Sequence, residues 1–164
     1  MKDLQDKITD DLRIRPVDRS HIADLIRIAD ETNLSAWSAQ NYLDEFQMPG
    51  SIMLRLESEL NVTIGFVVGR IVEGGVVETE QQAEIYNIAI EKSEQGNGFG
   101  QLLFDAFIEK CRQYNVTSIW LEVRESNEKA IGFYNTNGFE HVQSRNNFYD
   151  NPREAALLMK LILK

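Results

Sequence analysis

The run Gln95-Gly96-Asn97-Gly98-Phe99-Gly100 constrains this chain more than any other segment. It lies between an apolar, strand-like stretch at residues 83–90 and an amphipathic pattern that predicts a helix starting near Gly98. Glycine at alternate positions lets the backbone come close to a ligand, and the helix start aims its free N–H groups at the same point. Such a turn seats a phosphate, because converging donors and the helix dipole both favour negative charge. A Walker loop would end in Gly-Lys-Ser/Thr, but Gly100 is followed by Gln101-Leu102. A dinucleotide fingerprint started at Gly96 and Gly98 reaches Gln101 and fails, although Glu122 falls roughly where a ribose-binding acid would sit, so that reading stays open. The spacing that fits is Q-x-x-G-x-G, from Gln95 through Gly98 to Gly100. Taken alone, a glycine turn before a helix is more often a plain connection.

At 164 residues the chain is expected to form one domain over 1–164, with 1–11 as a flexible lead. No apolar run approaches the ~20 residues of a membrane span, and the polar start is unlike a signal peptide. The single Cys111 leaves no internal disulfide and fits a reducing cytoplasm. With only His21, His141 and Cys111 as soft ligands, no metal cluster is expected. A formal charge of −9 speaks against a nucleic-acid partner and for basic ones, such as amines or cationic peptides.

Residues 12–16 alternate as a strand that stops at Pro16. Asp18 or Ser20 can cap a helix with the apolar stripe Ile22, Leu25, Ile26 and Ala29, and Ser38 a second with Tyr42, Leu43 and Phe46. Strands are expected at 51–57, 62–72 and 83–90, with turns at Glu59-Leu60-Asn61 and Glu73-Gly74-Gly75 and a polar strand end or loop at 76–82. The helix after the glycine loop runs to about Tyr114, with Phe99, Leu102, Leu103, Ala106 and Phe107 inward. A strand at 118–124, a helix at 126–137 stopped by Gly138, and strands at 139–145 and 155–163 complete the chain. The order predicts an α/β domain with a mixed central sheet flanked by helices.

Period two in Ile119-Trp120-Leu121-Glu122-Val123-Arg124 places Glu122 with Trp120 and Arg124, opposite the apolar set. An acid in mid-strand is either half of a surface ion pair, with Arg124 or across strands, or a carboxylate held at a cleft as general base. Asn127 and Tyr134 lie seven residues apart on one helical face. Alone, Asn127 reads as a cap and Tyr134 as a core tyrosine with its hydroxyl satisfied.

Together, Ile85-Tyr86-Asn87-Ile88-Ala89-Ile90, the Q-x-x-G-x-G loop, Leu121–Asn127, Ala130-Ile131-Gly132-Phe133-Tyr134 and Asn137-Gly138-Phe139 resemble the GNAT superfamily of acetyltransferases. Within it they are most like the bacterial ribosomal-protein-alanine N-acetyltransferases of the RimI type, with echoes at Ala36-Trp37-Ser38 and Arg145-Asn146-Asn147-Phe148-Tyr149. The resemblance is strong over 83–149 and looser over 12–72. It implies acetyl-CoA as cosubstrate, with no metal. The backbone of Ile88, Ala89 and Ile90 would pair with the pantetheine arm, and Gln95, Gly96, Asn97, Gly98, Phe99, Gly100 and Gln101 would wrap the pyrophosphate. Asn127 would contact the CoA arm, Glu122 would be the general base and Tyr134 the general acid.

The chain departs from the family where Gly96 and Gln101 stand in place of basic loop residues, and in a shorter Asp150-Asn151-Pro152-Arg153 segment. The acceptor implied is a protein or peptide N-terminus, in the first place a ribosomal protein's N-terminal alanine, and the protein is expected to be a monomer or weak dimer. The competing readings are acetylation of a small amine, such as a polyamine or antibiotic, and a non-catalytic acyl-CoA-binding module.

Overall fold

Local signals place most of the elements. In a computed structural model of the chain, which describes residues 12–34, 37–73 and 80–164, the alternating start forms β1 (Arg13–Pro16). Asp18 caps a tight turn at Arg19–His21, accepting the Ser20 N–H at 2.8 Å, while His21 accepts the Asp18 N–H at 3.2 Å. This reciprocal cap feeds α1 (Ile22–Glu31), and Ser38 with Asn41 builds another at the start of α2 (Ala39–Phe46). Then come β2 (Ser51–Glu57), β3 (Thr63–Glu73), β4 (Gln81–Ile90), α3 (Phe99–Gln113), β5 (Val116–Arg124), α4 (Glu128–Thr136), β6 (Glu140–Asp150) and β7 (Arg153–Ile162). The seven strands hydrogen-bond in the order β1-β2-β3-β4-β5-β7-β6, and β4 runs parallel to β5. This is the mixed α/β class that the element order predicts. The expected 1–11 lead, Ala36, the Gly74-Gly75 turn and most of the 76–82 segment lie outside the described residues.

The chain packs as two compact units. One comprises the chain up to Arg70 together with Asn87–Lys110. Leu25, Ile28, Tyr42, Phe66, Val67, Val68 and Leu103 are fully buried in it. Three inward assignments shift. In α1 it is Ile28, rather than Ile26, that joins Ile22, Leu25 and Ala29 inside; a 3.6-residue period allows either edge of the stripe, and packing chooses. In α2, Phe46 is exposed and Leu43 half-buried, while Glu45 goes inside as the partner of Arg70. In α3, Phe104 and Ile108 are buried with Leu103 and Phe107, leaving Phe99, Leu102 and Ala106 partly covered. Gly65 of β3 is required by close approach: a Cβ there would lie 2.5 Å from Ile90 Cδ1 and 3.0 Å from the Ala89 carbonyl oxygen.

The other unit comprises Ile71–Tyr86 and Cys111–Lys164. Ile119, Leu121 and Val123 of β5 form its buried face with Met159 of β7, as the alternation predicts. α4 ends in a Schellman turn: Gly138, at φ 87°, donates to the Asn135 carbonyl and Phe139 to that of Tyr134, both at 3.0 Å. Cys111 is fully buried, and burial pushes its thiol up to about 12. β6 extends to Asp150, past the predicted end, because it pairs with β7 on both sides of a bulge.

Candidate active site

At the end of β4 the chain changes its hydrogen-bonding habit. The β4–β5 register runs from Gln81↔Val116 to Ile85↔Leu121, so Ile88, Ala89 and Ile90 lie beyond it. The Glu91 N–H still donates to the Ile64 carbonyl at 2.8 Å. An ion pair of Arg27 with Glu91 at 2.9 Å, and a bond from the Lys92 N–H to Glu31 at 2.9 Å, pin the start of the following loop to α1.

Inside the loop the polar side chains hold the loop itself. The Gln95 amide donates to the Ile90 carbonyl at 2.9 Å, and that of Asn97 to the Glu94 carbonyl at 3.1 Å. Gln101 donates its N–H to the Gly98 carbonyl at 3.1 Å and its side-chain amide to Asp105 at 2.8 Å. Gly96 and Gly98 adopt φ of 82° and 80°, a region that disfavours other residues, and a Cβ at either would meet nothing within 4 Å. The loop is therefore open in front of its glycines, and the Phe99 and Gly100 N–H groups precede the first helical bonds of α3, which Gln101 and Leu102 make to the Gly98 carbonyl. That combination suits an anion such as a pyrophosphate. Gln95 and Gln101 shape the cradle through their side chains.

The second set of residues lies on β5, α4, β6 and β7. Glu122 is partly exposed, on the opposite face of β5 from Ile119, Leu121 and Val123. Of the two ion-pair partners open to it, Arg124 is not the one. Arg124 pairs with Glu154 at 2.9 Å and lies 4.1 Å from the Tyr149 ring centre. Glu122 pairs instead with Arg145 of β6, Nη1 to Oε1 at 2.7 Å. Arg124 and Arg145 both stand opposite Ala156 of β7, whose small side chain lets Arg145 reach across that strand to β5. Directly after Arg145, Asn146, Asn147 and Phe148 stand against the single residue Ala155, and Asn147 takes φ 53°.

Asn127 is the cap of α4, its side chain accepting the Ala130 N–H at 3.1 Å. It therefore precedes the helix rather than sharing a helical face with Tyr134. The Tyr134 ring is buried, with Phe133 and Phe139 ring centres at 5.6 and 5.5 Å. Burial raises its phenol well above the usual tyrosine range, and Tyr149 adds to the rise. Burial also raises Tyr149, with Glu122 the next contribution, opposed by Arg124. The sequence flagged Arg145 and Tyr149 only as part of a family echo. Glu154, which holds Arg124 and accepts the Ser126 N–H at 3.1 Å, carried no signal. Among the described residues no group of His, Cys, Asp and Glu could hold a metal ion.

The loop between β4 and α3 is open in front of its glycines, and Glu122 and Tyr134 lie near the ends of β5 and α4. The family model for the acetyltransferase (GNAT) family matches residues 22–139, and the chain belongs to that family. It is 35% identical over 142 residues to the [ribosomal protein bS18]-alanine N-acetyltransferase of Haemophilus influenzae, covering 85% of this chain and 90% of that one. The crystal structure of the ribosomal-protein-S18-alanine N-acetyltransferase from Escherichia coli superposes with a TM-score of 0.81 at 24% identity, covering 93% and 94% of the two chains. Arabidopsis thaliana NAA60 in complex with acetyl-CoA superposes with a TM-score of 0.82 at 16% identity, covering 93% and 98%. At these identities the two structures show the fold alone.

Proposed function

We propose that this protein moves the acetyl group of acetyl-CoA to the α-amine of a protein N-terminus, with an N-terminal alanine of a ribosomal protein as acceptor. The observation that carries the acceptor is the 35% identity to the Haemophilus enzyme across nearly the whole of both chains. On this reading residues 1–164 act as one acetyltransferase domain, working in the cytoplasm.

The residues present fit acetyl-CoA. Gly96 and Gly98 leave their front face open, and the backbone of Ile88, Ala89 and Ile90 continues past the β5 register, where an amide-bearing arm can add as a strand. Asn127 offers its amide nitrogen, since its oxygen is spent on the cap. Bound acetyl-CoA supplies the activated acyl group. An α-ammonium has a pKa of about 8 and must lose a proton before it can attack, and Glu122 is the carboxylate that takes it. Tyr134 keeps its Oη proton at neutral pH because burial disfavours the phenolate, so it is the donor for the leaving thiolate.

Mass spectrometry of peptides with varied first residues, with polyamines in the same screen, tests this directly. Acetylation of alanine-starting peptides is expected. Acetylation of the polyamines alone would move the acceptor to the small-amine class, and CoA binding without turnover would favour the non-catalytic module.

A further inference from the structure

We infer that Arg145 governs acceptor binding and product release by competing for Glu122: its guanidinium occupies the carboxylate that an incoming ammonium must take, so a cationic N-terminus enters by exchange and the neutral product is expelled. This rests on Glu122 being the base proposed above.

The two arginines opposite Ala156 are held very differently. Arg124 is fixed by Glu154 at 2.9 Å, by the Pro152 carbonyl at 3.3 Å and by the Tyr149 ring at 4.1 Å. Arg145 has, among the described residues, one ion pair, to Glu122, and one ring, Phe148, at 5.8 Å. Its side chain is 49% exposed against 25% for Arg124. An ion pair this open contributes little, so another cation can replace the guanidinium at small loss.

Charge then gives the exchange a direction. The guanidinium stays protonated at any working pH, whereas the acceptor's nitrogen loses its charge when it becomes an amide. An entering ammonium displaces Arg145 and gives one proton to Glu122, which becomes a carboxylic acid as the amine becomes neutral. Once the amide has formed there is no cation to compete. The proton passes to solvent, Arg145 returns to its ion pair with the Glu122 carboxylate, and the site is reset. The remaining charges around Glu122, namely Arg124 with Glu154, and Lys160 over the Trp120 ring at 4.7 Å, are engaged elsewhere.

Arg145→Met keeps the side-chain stem and deletes the cation. With an alanine-starting peptide its KM is expected to fall about two- to fivefold, the scale of an exposed ion pair. Calorimetry should show the acetylated peptide binding more tightly by a similar factor, because nothing drives it off. Arg145→Lys should restore wild-type behaviour on both counts. A KM that rises or stays fixed in folded Arg145→Met overturns the inference, as does a lysine variant that behaves like methionine. If Arg145 only anchors Glu122, kcat falls and KM does not move, and this too overturns it. Should Arg145→Met fail to fold, Arg145→Gln carries the same test. Glu122→Gln, run in parallel, separates the two ideas. Full turnover there removes the base assignment, whereas lost turnover with unchanged KM in Arg145→Met removes only the competition.

Discussion

The loop between Ile90 and Gln101 and the charged face of β5, β7 and β6 are built by opposite means. In the loop the backbone is the instrument. Gly96 and Gly98 hold positive φ with open space in front, and the side chains of Gln95 and Asn97 bond loop carbonyls. On the charged face the side chains are the instrument: Glu122 of β5 and Arg145 of β6 form an ion pair across β7, which lies between their strands. The first arrangement follows from six consecutive residues, the second from the register of three strands. A substitution in the loop should therefore act on ligand binding, and one on the face should act on proton transfer.

The sharpest way to break that division is Glu122→Gln. It should lower kcat by ~10²-fold or more, with partial recovery at high pH where the amine is already neutral. Steady-state rates across pH check it, and wild-type turnover would leave Glu84 or a solvent base as the better candidate. Tyr134→Phe comes next. It keeps the ring between Phe133 and Phe139 and deletes only the hydroxyl, so kcat should fall by ~10-fold or more with little change in melting temperature. A lower melting temperature with intact turnover would return Tyr134 to the core.

Gly98→Val tests the other side. At φ 80° a branched side chain is strained by about 1–2 kcal/mol and projects into the open front of the loop. CoA affinity measured by calorimetry should fall about tenfold, because the added side chain stands in the space the phosphates would occupy. Unchanged affinity would mean that the loop does not receive the phosphates.

These two regions also differ in how legible they were. The glycine loop, the caps at Asp18 and Ser38 and the stop at Gly138 could be read directly, because each depends on residues within a few positions of one another. The mixed sheet followed from element order. The choice of Ile28 over Ile26, the burial of Glu45 against Arg70, and the pairing of Glu122 with Arg145 could not be read this way. Each depends on what another strand or helix presents, and alternation shows a face without showing what covers it. The β6 bulge further displaces Tyr149 from the simple register that alternation would assume.

The smallest expected effect sharpens the comparison within the charged face. A side-chain hydrogen bond with Ser126, then one with Arg124, hold the Glu154 carboxyl below its ordinary value of 4.5. A carboxyl depressed in the folded state contributes stability above its unfolded value, and that stability is lost as pH falls through the folded value. Glu154→Gln should therefore lower the melting temperature slightly at neutral pH, and its difference from wild type should shrink progressively as pH falls below the ordinary 4.5 and through the depressed folded value. A difference that persists at lower pH would show that Glu154 acts by packing rather than by charge.

The burial of Cys111 has a consequence for the reaction's own by-product. Acetyl transfer from CoA liberates a thiol, and once an oxidant such as dioxygen has converted it to CoA disulfide, a reactive cysteine thiolate nearby would attack that disulfide and release one CoA thiolate. The chain's one cysteine is fully buried with its thiol pushed up to about 12, so only about one in ten thousand is thiolate at pH 8. The protein is thus poorly suited to forming mixed disulfides with CoA, and it should be nearly silent to thiol-reactive dyes while folded. Turnover can then be followed continuously by the colour of released thiol, with a sudden protein signal reporting unfolding rather than catalysis.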